Sequence, residues 1–173
     1  MEKIIPPNTY LWHAVYVKSR AEKKAQLELQ ILEIETFLPL QRKLRQWSDR
    51  KKWVETPLIS GYLFVRASRK EYDRVLQSNY VVSYVRFESK AAIVPDNQIE
   101  YLKLMLTQEN TPIEITRDKL KPGQMIEVIS GPMIGLRGKL QKMKGKNKVA
   151  VELEQLGYSA LVEIQVEDIE VRK

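Results

Sequence analysis

The chain has 173 residues, enough for one medium domain or two small ones that each bury a core. Its hydrophobic fraction of 43% is that of a folded soluble protein, and the lack of any cysteine excludes disulfides and thiolate metal sites, which fits a reducing cytosol. Lys and Arg number 29 against 22 Asp and Glu, and a net charge of +7 favours nucleic acid or an acidic partner. No apolar run is long enough to span a bilayer, and the opening Met1-Glu-Lys-Ile-Ile-Pro-Pro7 lacks the apolar core of a signal peptide, so a cytoplasmic location is expected.

Residues 1–9 end in Pro6-Pro7-Asn8 and read as a loose leader. Tyr10 to Lys18 alternates as a strand, with Trp12, Ala14, Tyr16 and Lys18 on one face and His13, Val15 and Val17 on the other. Ser19-Arg-Ala-Glu22 has the spacing of a capping box, and Ala21, Ala25, Leu29 and Leu32 follow at helical period. A second stripe at Leu27, Ile31 and Ile34 predicts a helix covered on more than one side. Phe37-Leu-Pro-Leu40 opens an extended piece. Charge then dominates: Arg42, Lys43, Arg45, Arg50, Lys51 and Lys52 stand against Asp49 alone. Ser48-Asp49, flanked by Trp47 and Trp53, reads as the tip of a long hairpin.

Pro57 to Arg66 is the next strand, and both of its faces are largely apolar. Ile59, Leu63 and Val65 suit a helix-covered core, while Tyr62 and Phe64 on the other face could be core or a docking surface. Lys70 to Leu76 reads as a short helix, Val81 to Phe87 as a strand, Ala92-Ile-Val-Pro95 as the end of the sheet, and Asp96 as the cap of a helix carrying Ile99, Leu102 and Leu106. This order predicts an α+β sheet with helices on one face over residues 10–106. Residues 107–120 are polar and read as a linker, although Ile113 and Ile115 could pack locally. Residues 121–173 are patterned as five short strands joined by glycine turns, which predicts a small barrel.

Two stretches carry a family resemblance. Pro122-Gly-Gln-Met-Ile-Glu-Val-Ile-Ser-Gly-Pro-Met-Ile-Gly-Leu-Arg-Gly138 resembles a KOW motif, the opening of an SH3-like five-stranded β-barrel, with Gly131 and Gly138 suited to a turn or a close backbone approach. Trp12-His-Ala-Val-Tyr16, Ser60-Gly-Tyr-Leu-Phe-Val65 and Val82-Ser-Tyr-Val-Arg-Phe87 resemble the N-terminal domain of the NusG transcription factors. Ala92-Ile-Val-Pro95 and the Gly-Tyr-Leu-Phe wording look closer to the operon-specific RfaH and UpxY paralogues.

The resemblance implies a transcription elongation and antitermination factor that binds bacterial RNA polymerase. Tyr16, Tyr62, Phe64 and Phe87 would receive the polymerase clamp helices, with Tyr84 as a further candidate; Tyr84 and Phe87 have opposite parity, so both reach one site only if their strand bends or ends between them. Lys18, Arg20, Lys24, Arg42, Arg45, Arg50, Lys51 and Lys52 would lie near upstream DNA and the non-template strand. Met133, Ile134 and Leu136 stand where the family's barrel carries aromatics that bind a small-subunit ribosomal protein or the Rho factor. In RfaH the C-terminal domain refolds as a helical hairpin, but the glycine turns and β-branched residues of 125–171 predict a constitutive barrel here.

Plainer readings stand beside these. The aromatics could be ordinary core, the basic hairpin a solvated loop, and Met133, Ile134 and Leu136 plain barrel interior. His13, the single histidine, lies on a valine face and has no partners for a triad or a metal site, so neither an enzyme nor a cofactor is expected, and the chain is read as a monomer. The alternative function is a KOW-type RNA-binding protein acting on ribosomal RNA.

Overall fold

Strand β1, Leu11–Val17, is the centre of the first sheet. In the computed structural model, which describes residues 5–172, it pairs with β5 (Tyr62–Ala67) along its whole length, from Leu11↔Ala67 to Tyr16↔Tyr62. The first four residues of the expected leader and Lys173 lie outside the described residues. The other edge of β1 is shared: its C-terminal half pairs with β6 (Val81–Tyr84), and its N-terminal half with β9 (Ile93–Val94). β2 (Glu35–Phe37) adds to the far side of β5, so the order is β2-β5-β1-β6, antiparallel throughout. Ala14, Val15, Leu63, Phe64 and Val65 are fully buried in the middle of this sheet.

Helix α1, Glu22–Ile31, begins without the expected capping box. Arg20 turns the chain at φ 58°, Ala21 takes the N-cap place, and no side chain caps the helix. Glu22 is instead buried, and its Oε1 accepts the Gly61 amide at 2.8 Å. Gly61 sits at φ +81° just before β5, and its carbonyl accepts the Val17 amide at 2.9 Å, so the helix start and the end of β1 together fix where β5 begins. The helix ends in a Schellman arrangement, with Ile34 N donating to Leu29 O and Glu33 N to Gln30 O, and Glu33 at φ 60° where glycine is usual. Ala25, Leu29 and Ile34 are buried, but Leu27 and Ile31 of the expected second stripe are exposed. One face of α1 is therefore covered, not two.

The basic segment forms the hairpin β3 (Leu40–Gln46) and β4 (Lys51–Pro57), seven residue pairs in unbroken register with the turn at 47–50. After β5 comes α2, Tyr72–Leu76, shorter than its sequence reading. The strand expected over Val81 to Phe87 ends at Tyr84; the Val85 amide still donates to Ala14 O of β1 at 2.8 Å, while its carbonyl accepts the Ala92 amide at 2.8 Å. β7 (Arg86–Phe87) then turns back on β8 (Lys90–Ala91) through Glu88 and Ser89, both at positive φ. Helix α3 runs from Asp96 to Leu106 and buries Ile99, Leu102 and Met105, the last in place of the expected Leu106.

The second sheet is six-stranded: β10 (Glu114–Thr116), β11 (Met125–Val128), β12 (Arg137–Met143), β13 (Lys146–Leu153), β14 (Tyr158–Glu163) and β15 (Ile169–Val171), in the order β10-β14-β13-β12-β11-β15. The five expected strands are all present, and no helical hairpin occupies 125–171. Two features differ from the expected barrel. A sixth strand, β10, comes from the segment read as a linker, where Ile113 is also buried; and the pairing leaves β10 and β15 as edges, so no closed barrel is formed. Alternation of polar and apolar residues in short strands reports pairing and facing, not whether the first strand meets the last. The two glycines singled out in the sequence act differently. Gly131 takes φ +77° in open space, whereas a Cβ on Gly138 would overlap the Ala150 carbonyl of β13.

The chain divides into two compact units that interleave in sequence. One holds the residues up to Leu38 and Ile59–Asp96, hence the first sheet with α1 and α2; the other holds Pro39–Leu58 and Asn97–Lys173, hence the basic hairpin, α3 and the second sheet.

Candidate functional site

Register decides which aromatics share a face. Residues paired directly across an antiparallel ladder point the same way, so Tyr16↔Tyr62, Ala14↔Phe64 and Phe37↔Phe64 put Tyr16, Tyr62, Phe64 and Phe37 on one face of the first sheet. The Tyr16 and Tyr62 rings lie 5.0 Å apart, and Phe37 stacks on Phe64 at 6.0 Å. Exposure separates them. Tyr16 is 38% exposed and Tyr62 7%, while Phe64 is wholly buried, with the small Ala14 beside it. Of this set, Tyr16 is the side chain a partner could grip directly.

Tyr84 pairs with Val15 and so faces the other way. It is buried, stacks on Tyr72 at 3.8 Å, donates its hydroxyl to Tyr72 O at 3.2 Å, and meets His13 edge-on at 5.6 Å. Burial raises the Tyr84 phenol well above its ordinary value, and Tyr72 beside it adds to the rise. Phe87 is exposed on the β7–β8 hairpin. The structure thus brings Tyr16, Tyr62 and Phe64 together and leaves Tyr84 and Phe87 out of that cluster; the break at Val85 separates the last two. His13 Nδ1 donates to Ala92 O at 3.0 Å, and burial keeps the imidazole below its ordinary pKa.

The basic candidates fall in two groups. Arg42, Arg45, Arg50, Lys51 and Lys52 are all exposed on the hairpin. Arg42, Leu44, Lys51 and Trp53 occupy one face, with Leu44 and Trp53 in register, both about half exposed, and the Arg42 guanidinium 5.7 Å from the Trp53 ring. On the other face Arg45 pairs directly with Lys52. Like charges in opposed positions cost stability unless an anion neutralises them. Lys18, Arg20 and Lys24 are exposed at the end of β1 and the start of α1, with the Lys24 ammonium 6.0 Å from the Tyr80 ring. In the second sheet only Ile134 of the three predicted residues is available: it is 59% exposed, while Met133 and Leu136 are core.

Among the described residues, no group of three or more acidic or histidine side chains could hold a metal, and no helix is long and apolar enough to cross a membrane.

The sequence model of the family described as "Transcription termination factor nusG" matches residues 10–103, more than half of the chain. The chain belongs to the NusG family. Among solved structures, one described as "Domain interaction in Thermotoga maritima NusG" superposes with a TM-score of 0.51 at 22% identity, over 97% of this chain and all of that one. At this identity the likeness concerns the fold. A second, "Crystal Structure of MjSpt4:Spt5 complex conformation A", gives 0.32 at 17% identity over 94% of this chain and 99% of that one. No curated protein matches the chain.

Several residues that shape this NusG-family chain escape the sequence pattern. Glu28 of α1 accepts the Ser78 hydroxyl, the Asn79 amide at 3.0 Å and Asn79 Nδ2 at 2.7 Å, fastening the loop before β6. The Ser78 hydrogen bond, reinforced by those from Asn79 and opposed by desolvation, holds its carboxyl below the usual range. Phe37 was readable only as the start of an extended piece, yet it covers Phe64. Ile129 and Val166 are exposed like Ile134, and the Ile129 amide donates to Asp168 O at the end of the Val166–Asp168 turn. An apolar residue at a loop end gives no periodic signal, so nothing in the sequence marked these two.

Proposed function

We propose that this NusG-family chain is a transcription elongation and antitermination factor that docks bacterial RNA polymerase through Tyr16 and its neighbour Tyr62, and suppresses pausing. One observation carries the reading: an exposed tyrosine on an otherwise buried strand, in register with a second tyrosine, on the face that the family resemblance assigns to the clamp helices. An aromatic anchor of this kind is worth about 2 kcal/mol or more when a partner buries it. Phe64 lies two residues along the same face, packed against Phe37, and is itself out of a partner's reach.

The basic hairpin tracks upstream or non-template DNA. Its opposed Arg45 and Lys52 gain a shared counterion in a phosphate, and exposed Trp53 and Trp47 offer faces for base stacking. The motifs at Gly61–Val65 and Ala92–Pro95 favour an operon-specific factor of the RfaH and UpxY kind, cytoplasmic, monomeric and without catalytic activity. The second sheet serves as a KOW-type module that recruits a further protein, a small-subunit ribosomal protein or Rho, with Ile134 as its exposed apolar contact.

The test is a single-round transcription assay on a template with a strong pause, repeated on a set of leader sequences. The wild-type chain shortens the pause on at least one leader, and Tyr16→Ala abolishes the effect. Unchanged pausing on every leader, together with tight binding of structured RNA, would instead favour the ribosomal RNA reading.

A further inference from the structure

On the side of the first sheet away from Tyr16, a cleft of about 860 Å³ opens between β1, α2 and the β7–β8 hairpin. Its volume lies in the range of small-molecule sites. Among the described residues, Arg69 and Arg86 line it with one carboxylate, Asp73. Arg69 and Arg86 are exposed and held in no ion pair among the described residues, and Arg86 is near enough to Tyr72 to counter the burial-driven rise of its phenol pKa. Tyr72 lines the cleft with one ring face already backed by Tyr84 at 3.8 Å, which fixes it as a rigid shelf. His13 also lines it. Its Nδ1 must carry the proton that Ala92 O accepts, so in the neutral ring Nε2 is an acceptor with no partner among the described residues.

We propose that this cleft binds a nucleoside mono- or diphosphate. A flat ring for stacking, an acceptor for a base N–H and cations in excess of carboxylates are together the complement of a nucleotide. A bare anion would use only the cations. The site lies wholly within the unit that holds the first sheet, and it is independent of the polymerase reading.

Calorimetric titration of the full chain with ADP and GDP tests it, using adenosine and pyrophosphate as partial probes. At least one nucleotide saturates a single site. Arg86→Gln, an exposed substitution, weakens that binding about tenfold, the usual loss when a charge-assisted contact to phosphate is removed. Tyr72→Leu weakens the nucleotide but not pyrophosphate, and Arg45→Gln on the hairpin changes neither. The proposal is overturned if neither nucleotide saturates, if pyrophosphate binds as tightly as ADP and GDP, or if Arg45→Gln removes the binding that Arg86→Gln leaves intact.

Discussion

Tyr16 and Phe64 point the same way from neighbouring strands, yet one is 38% exposed and the other fully buried, so truncating them has different consequences. Phe64→Ala removes a ring packed on Phe37 and flanked by Ala14, a side chain too small to fill the void. It should cost about 3–5 kcal/mol of stability, measured by urea unfolding. Tyr16→Ala should leave the unfolding midpoint within the range of ordinary surface substitutions. Equal losses in the two variants would mean that Tyr16 is core as well. The sequence shows that these two residues share a face, because strand parity is a local property. It does not show which one the rest of the fold covers, because that depends on Phe37, a residue 27 positions before Phe64 in the chain.

At the scale of elements, long-range polar contacts replace the local ones that the sequence suggests. Ser19 and Glu22 have the spacing of a capping box, but Glu22 reaches across to Gly61 because Arg20 turns the chain out of capping geometry. Glu28 does the same for the 78–80 loop. Its carboxyl is held below the ordinary range in the folded state, so its contribution is fully present at neutral pH, above its unfolded pKa, and is lost as pH falls through the lower folded value. Between about pH 6 and about pH 3, wild type should therefore lose more stability than Glu28→Gln, and parallel acid limbs in the two melting curves would remove this role. In the second sheet Gly138 was legible as a special position, and the structure identifies its constraint as the Ala150 carbonyl. Gly138→Ala should destabilise by about 2 kcal/mol through forced separation of β12 and β13, whereas a neutral outcome would mean the strands part freely.

For the whole molecule, the strands and helices were legible nearly end to end, since each rests on short-range periodicity and turn residues. Three features were not. The strand after α2 ends at Tyr84, so that β1 shares one edge between β6 and β9; β10 pairs with β14 from within a polar segment; and β2 pairs with β5 so that Phe37 covers Phe64. Each is a pairing between distant segments, on which local composition carries no information. The candidate site was legible as a residue list and not as a surface: the structure keeps Tyr16 exposed, buries Tyr62 and Phe64 on the same face, turns Tyr84 to the opposite face and leaves Phe87 on a separate hairpin. The most direct test of the account is the equilibrium affinity of the chain for bacterial RNA polymerase core enzyme, wild type against Tyr16→Ala, with thermal melts of both. Measurable binding by wild type is expected, with a loss of about thirtyfold, the equivalent of about 2 kcal/mol, in a variant that melts like wild type. Equal affinities, or no binding by the wild-type chain, would contradict it.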